Sequence, residues 1–416
     1  MCTQRLFGGT VDRPARILVV DDDPTLRLLI QLGLEQAGFE VTAVSSGKRA
    51  LAETTPPDAV VVDLMMPGMD GVELCRQLRA HPVFHETRIV VASAKAYETD
   101  RRAALAAGAD VYRTKPVNLP ELSDTLMRLI EDRIDVGFWG VRGTLPAPSK
   151  AAIRYGGNTS CVTVELPRGQ RFIFDAGSGI RALGGHLMAT GTRHAGAILI
   201  THPHWDHLNA LPFFAPLYVP GNQYQICGPA QPGARMRDLV AAQMDGRFFP
   251  ITPLEFGADI TYTDLREGKY RILDTEVATI LLMHPGTCLG YKLTYGGRSV
   301  AYITDQELGQ PDLPGHSQSY VDNLVRFLHG VDLLITDTTY TDAEYPSKVG
   351  WGHSSVSQVA RLAHRASVKT LCIAHHDPSQ TDDDIDAKLA DCRAALSLLD
   401  SKVTALAPAE GDLMRI

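Results

Sequence analysis

The sequence predicts a two-domain α/β protein, and three observations carry that prediction. The chain has 416 residues, more than a single hydrophobic core usually organises. Its hydrophobic content of 44% is enough for two packed cores. Short apolar strands alternate with helix signals across residues 16–133, the pattern of a doubly wound parallel sheet, whereas strand ends further along carry histidines and aspartates.

Residues 1–13 lack periodicity and carry Gly8 and Gly9, so a flexible lead is expected there. Arg16 to Val20 form an apolar strand ending in Asp21-Asp22-Asp23, and Asp23-Pro24 reads as a helix cap with proline at the first helical position. The helix that follows is expected to place Leu26, Leu29, Ile30 and Ala37 on one face and to stop at Gly38. Further strands end at functional residues: Ala59 to Val62 at Asp63, Ile89 to Ala92 at Ser93, and Asp110 to Arg113 just before Lys115-Pro116. Asp21, Asp22 and Asp63 therefore converge at strand ends, where open α/β sheets place their ligands. Carboxylates held that close repel unless a cation sits among them, and Mg²⁺ takes oxygens from one or two carboxylates and a phosphate.

These residues resemble the receiver domain of two-component response regulators, over about residues 14–133. The resemblance implies a flavodoxin-like fold with Asp63, in Val62-Asp-Leu-Met-Met-Pro-Gly68, as phosphoacceptor. It makes Asp21 and Asp22 the magnesium pair, Ser93 and Tyr112 the switch residues, and Lys115 the phosphate partner. A cognate histidine kinase or phosphotransfer protein follows as the expected partner.

The second unit announces itself at Thr201-His-Pro-His-Trp-Asp-His207, where His202, His204, Asp206 and His207 stand within six residues. The apolar run Ala197 to Ile200 reads as a buried strand, so the cluster sits on the loop leaving its carboxyl end. His202 and His204 can face one cation while Asp206 and His207 turn toward another. Imidazole with carboxylate suits zinc and also accepts manganese or iron. One loop cannot complete two metal shells. His284 after Thr279 to Met283, Asp305 after Val300 to Thr304, and His375 after Thr370 to Ala374 offer further ligands at strand ends.

Together these positions resemble the metallo-β-lactamase superfamily, in its phosphodiesterase and tRNA 3′-processing ribonuclease branch. The likeness extends to Phe138-Trp-Gly-Val-Arg-Gly143, Tyr155-Gly-Gly-Asn-Thr-Ser160, Phe174-Asp-Ala-Gly177, Leu334-Ile-Thr-Asp337 and Gly352-His-Ser-Ser355, and spans roughly residues 134–416. It implies an αββα sandwich in which His202, His204 and His284 hold one metal, Asp206, His207 and His375 a second, and Asp305 bridges them. His204 stands where redox relatives carry Glu, which points to hydrolysis. Asp175 resembles the acid that orients ligands from behind, and His376, next to a ligand, is expected in the same supporting role. Two cations about 4 Å apart would clamp the attacking and leaving oxygens of a phosphoryl displacement, with Asp206 orienting the attacking water. His353 is the candidate proton donor to the leaving group, held in the right tautomer by Asp337. Arg142, Lys150, Arg154 and Asn158 lie in a Gly-rich entry segment and are candidates to meet a substrate phosphate.

Net charge is −8, which weighs against a large nucleic-acid surface. The 21 positions from His284 to Asp305 (305 − 284) leave room only for a strand pair turning at Gly296-Gly297, not for the long arm of the tRNA-processing relatives. No apolar run approaches the roughly 20 residues of a membrane helix, and no signal core is present, so a cytoplasmic protein is expected. Seven scattered cysteines lack Cys-x-x-Cys spacing; Cys288, near His284, reads as a packing residue. The expected activity is a receiver-regulated, dinuclear phosphodiesterase acting on a small phosphodiester such as a cyclic mono- or oligonucleotide, in a chain free to form a homodimer. The competing readings are a lactone or thioester hydrolase on the same metals, or a ligand-sensing module without turnover.

Overall fold

The computed structural model describes residues 6–7, 14–82, 84–95, 97–310 and 316–416. Strand β1 (Leu6–Phe7) pairs alongside residues 413–414, so this part of the expected flexible lead is extended chain; the rest of residues 1–13 lies outside the described residues.

Five parallel strands form the first sheet: β2 (Arg16–Val20), β3 (Glu40–Val44), β4 (Ala59–Asp63), β5 (Arg88–Ser93) and β6 (Val111–Thr114). Their order is β3-β2-β4-β5-β6, so the crevice where the order reverses lies between β2 and β4, whose ends bear Asp21 and Asp63. Helices α1 (Pro24–Gln36), α2 (Gly47–Leu51), α3 (Gly71–Ala80), α4 (Glu98–Ala106) and α5 (Leu119–Glu131) cover both faces. The α1 cap is as the sequence predicts: the Asp23 carboxylate accepts from the Thr25 and Leu26 amides. Its buried face is different, because Ile30 and Leu34 pack inward while Leu29 is half exposed. A three-turn helix docked through one narrow stripe leaves the residue beside Ile30 in solvent.

After α5 the chain runs through Asp132, Arg133 and Ile134 directly into β7 (Asp135–Gly140). Then come β8 (Cys161–Glu165), β9 (Arg171–Phe174), β10 (Ala195–Leu199), β11 (Gln223–Pro229) and β12 (Asp259–Leu265). A second sheet follows in sequence order from β13 (Gly268–Ile272) through β14 (Thr275–Leu281), β15 (Leu289–Tyr295), β16 (Arg298–Ile303), β17 (Leu333–Asp337), β18 (Thr370–Ala374) and β19 (Thr404–Leu406). The final strand β20 (Leu413–Arg415) returns to the first sheet between β1 and β7. Gly296 and Gly297, both with positive φ, make the tight β15–β16 turn expected from sequence.

The two sheets bury a shared core in which Val136, Phe172 and Leu199 from one meet Val277, Tyr291 and Ile335 from the other. Helices α6 (Ile180–Ala189), α7 (Trp205–Leu208) and α8 (Met236–Gln243) cover the outside of the first sheet. Helices α9 (Gln318–Leu328), α10 (Val356–Arg365) and α11 (Asp382–Leu398) cover the second. That is the αββα sandwich. Among the described residues no helix is long and apolar enough to cross a membrane.

The five-stranded domain rests on the sandwich through α5. Arg128 reaches Glu165 at 3.1 Å, Glu121 accepts from the Thr192 hydroxyl at 2.9 Å, and Asn118 donates to the Thr190 carbonyl at 2.9 Å. Glu165 is also paired with Arg171 at 2.8 Å, so α5 is tied to the β8–β9 hairpin through one carboxylate. Between α4, β6 and α5 on one side and the sandwich on the other lies a cavity of about 540 Å³, with Tyr112, Arg113 and His194 in its wall.

Candidate metal centre and receiver pocket

The functional side chains of the sandwich lie where strands end. His202, His204, Asp206 and His207 follow β10, His284 follows β14, Asp305 follows β16, Asp337 closes β17 and His375 follows β18. The ligand atoms of His202, His204, His284 and Asp305 all lie within 4.8 Å of one another, and so do those of Asp206, His207, Asp305 and His375. Asp305 belongs to both groups. The structure thus brings together all seven residues singled out from sequence, in two clusters sharing one carboxylate.

The backbone makes these side chains converge at some cost. Asp175, Asp305 and His375 adopt left-handed φ of 60°, 55° and 58°, a region that costs a non-glycine residue about 1 kcal/mol or more and concentrates at functional sites. Behind the clusters, Asp175 lies 2.8 Å from His207 Nδ1 and accepts from Thr201 and Tyr302. That fixes the His207 ring with Nε2 turned toward Asp206 and Asp305, at 3.1 and 3.3 Å. Thr339 does the same for His375, its hydroxyl 3.1 Å from Nδ1.

The donor set fits a cation. His202 Nε2 is buried among the cluster atoms without a hydrogen-bond partner, as a ligand nitrogen awaiting a metal is. Burial lowers the proton affinity of His202, His204 and His284, keeping these imidazoles neutral. Burial opposes charge at His207 too, but Asp206, Asp305 and Asp175 outweigh it and raise its pKa well above normal. A field that strong toward a proton is equally favourable to a metal cation.

His353 stands at the edge of this site. Its Nδ1 lies 2.8 Å from the wholly buried Asp337, and one ligand-type atom from each of Asp305, Asp337, His353 and His375 falls within a 4.8 Å group. Asp337 also accepts from the Thr339 amide and hydroxyl, at 2.9 and 2.6 Å, so it is not free to swing. Burial alone would depress the His353 pKa; the Asp337 carboxylate more than offsets it and lifts the imidazole to about 9.

Four sequence expectations are corrected. Arg142 is fully buried and cannot meet a substrate at the surface; its guanidinium donates to the carbonyls of Gly156, Asp377 and Gln380, tying the entry segment to the chain after β18. Asn158 is spent on Glu410 and Ser178. His376 does not hydrogen-bond to the cluster, its ring packing edge-on against Tyr155. Arg154 pairs with Asp383 and Asp386. Sequence reasoning missed Glu307, two positions after Asp305, which accepts from Tyr345, Gly350 and Gly352 and organises the loop leading to His353.

In the five-stranded domain, Asp21, Asp22 and Asp63 form a separate acidic group. Lys115 donates to Asp21 and Asp63, at 2.8 Å each. Burial is the main reason that the Asp63 pKa is raised, Lys115 acting against it. Ser93 is buried beside this pocket, and the Tyr112 hydroxyl donates to the Lys95 carbonyl at 2.8 Å.

Fold and sites define a protein of two parts: an acidic pocket with a paired lysine on a doubly wound sheet, and a His/Asp centre of metal-binding type between sandwiched sheets. Residues 17–127 match the family model for the response regulator receiver domain, and residues 170–376 that for the beta-lactamase superfamily domain. The chain is a response-regulator receiver domain fused to a metallo-β-lactamase superfamily domain. The alkaline phosphatase synthesis transcriptional regulatory protein PhoP of Bacillus subtilis is 42% identical over 110 residues, 26% of this chain and 45% of that protein. The transcriptional regulatory protein TcrA of Mycobacterium tuberculosis is 40% identical over 135 residues, 32% of this chain and 49% of that protein. The chain thus spans about half the length of the curated relatives it matches. Among solved structures, the metallo-beta-lactamase fold protein YhfI from Bacillus subtilis aligns with 68% of this chain and 100% of its own, at 17% identity and a TM-score of 0.48.

Proposed function

We propose that this chain is a phosphodiesterase carrying two divalent metals, zinc by donor type, whose activity is set by phosphorylation of Asp63. The substrate is a small phosphodiester of the cyclic mono- or oligonucleotide class. The observation that carries the reading is the His353–Asp337 pair, 2.8 Å apart beside the shared carboxylate Asp305. An alkoxide leaving group needs a proton, and a buried imidazole oriented by a carboxylate is a group built to deliver one.

His202, His204 and His284 would hold one cation, Asp206, His207 and His375 the other, with Asp305 between. Bound there, the two ions would supply Lewis acidity and lower the pKa of the attacking water to about 7. The chain's residues do the rest. Asp175 and Thr339 fix the rings of His207 and His375. Asp206 orients the attacking water, and Thr144 steadies that carboxylate with a backbone amide at 2.6 Å. Asp337 keeps the His353 proton on Nδ1 in the neutral ring, so the second proton, on Nε2, is the one delivered to the departing oxygen. In the receiver, a phosphoryl group on Asp63 would be met by Lys115, Ser93 and Mg²⁺ at Asp21 and Asp22.

The test is a panel of metal-loaded protein against cyclic nucleotides, an aryl phosphodiester and a lactone. Cleavage of phosphodiesters with the lactone untouched is expected. Lactone turnover without phosphodiester turnover, or tight nucleotide binding with no turnover, would replace this reading with one of its two competitors.

A further inference from the structure

Of the residues around the centre, His204 is exposed and His284 and His353 are partly open, while His202, His207, Asp305 and His375 are buried. A substrate therefore arrives across His204, His284 and His353. One wall of that entrance is the loop from Tyr340 to Gly352. It is fixed in place: Glu307, itself buried, accepts from the Tyr345 hydroxyl at 2.8 Å and from the amides of Gly350 and Gly352 at 2.9 Å. Gly352, at φ +84°, presses so near His284 that a Cβ would fall 2.3 Å from its Nδ1.

This rigid loop presents Lys348 and Trp351. The Lys348 ammonium lies 4.1 Å from the centre of the Trp351 ring and 5.9 Å from that of Tyr340, whose ring meets His353 edge-on at 5.9 Å. Among the described residues no carboxylate pairs with Lys348, so aromatic faces alone hold its charge, with the Tyr340 ring between it and His353. Trp351 remains 58% exposed, which leaves indole surface free for a flat partner. An ammonium kept from carboxylates and steadied by cation–π contact is available to an anion arriving with the substrate. Exposed indole is a stacking surface that accepts any nucleobase.

We propose that Lys348 and Trp351 form a subsite for a nucleotide that carries a second phosphate beside the one cleaved, Lys348 meeting the second phosphate and Trp351 stacking on the base. The inference rests on the phosphodiesterase reading and narrows it from any small phosphodiester to an oligonucleotide-type substrate.

The experiment is calorimetric binding to the full-length, metal-loaded protein, with no turnover required. The probes are a dinucleotide joined by one non-hydrolysed phosphorothioate, with and without a 5′-terminal phosphate. The wild type should bind the phosphorylated probe about tenfold tighter, the scale of a charged hydrogen-bonded contact. Lys348→Ala should erase that preference, Lys348→Arg should retain most of it, and Trp351→Ala should weaken both probes alike. Equal affinity of wild type for the two probes, or a preference that survives Lys348→Ala, overturns the subsite while leaving the phosphodiesterase reading intact. If neither probe binds and the substrate panel is also silent, both fail together.

Discussion

Replacing Asp337 with Asn keeps the shape of the residue and removes the charge that holds His353 protonated. With Asp337 present the imidazole pKa is about 9, so at pH 8 roughly nine in ten molecules carry the proton that the leaving group requires. In Asp337→Asn the burial of His353 is no longer opposed by that carboxylate, and the pKa should fall from about 9 toward the ordinary value of 6.5, Asp305 and Asp206 still raising it against burial. At a pKa of 6.5 about 3% would be protonated at pH 8, a loss of about thirty-fold. The sign follows from the proton: the defect is greatest at high pH and all but vanishes near pH 6. Bound cations would move both profiles toward acid without closing the gap between them. The assay is kcat against pH for a phosphodiester with an alkoxide leaving group, beside an activated aryl diester that needs no acid. His353→Ala should lose about 10²- to 10⁴-fold on the first and far less on the second, at every pH. For Asp337→Asn, a loss equal on both substrates, or one that does not change with pH, would refute the role given to this pair.

Three further outcomes are expected. Elemental analysis of metal-replete protein should find two ions per chain, and fewer in His202→Ala or His375→Ala; one ion or none in the intact protein would end the two-metal account. Glu165→Gln should destabilise the protein by about 3 kcal/mol, the low end for breaking a buried pair because 21% of that side chain stays open, and this would read out as a lower Tm. Burial raises the Glu165 pKa, but Arg171 and Arg128 overcome it and hold the carboxyl well below its usual 4.5, so its contribution is complete above that pH and drains away as pH falls below it; a wild type and variant of equal stability at pH 7 would contradict this. Beryllofluoride with Mg²⁺ should change the turnover of wild type a few-fold and leave Asp63→Asn unaffected, whereas unchanged activity and unchanged sedimentation would disconnect the receiver from the hydrolase.

The parts legible in the sequence were those where chemistry is concentrated at strand ends. His202 to His207 could be read from one loop, and His284, Asp305 and His375 from the short apolar runs before them; β10 and β18 are parallel strands buried on both faces, a plain signal, while β14 is antiparallel yet still carries a buried apolar run. Asp21, Asp63 and Lys115 were readable for the same reason. What misled was a charged side chain in a glycine-rich segment. Arg142 looks like a surface cation, yet the fold uses it as an internal donor to carbonyls of a segment about 235 residues away, and no local pattern encodes that distance. Leu29 failed differently, since the periodicity of α1 allows more than one apolar stripe and only packing chooses between them. Glu307, Lys348 and Trp351 gain meaning only from a loop whose shape depends on buried hydrogen bonds.

The three residues between α5 and β7 have a consequence for how the two halves meet. With so short a tether and contacts at Glu165, Thr190 and Thr192, each hydrolase domain faces its own receiver at an effective concentration on the order of millimolar or above. Contact between the halves then does not depend on how many copies the cell makes. Under the proposed regulation, expression level would scale the total output, and a phosphoryl group on one receiver would act on the hydrolase domain of the same chain.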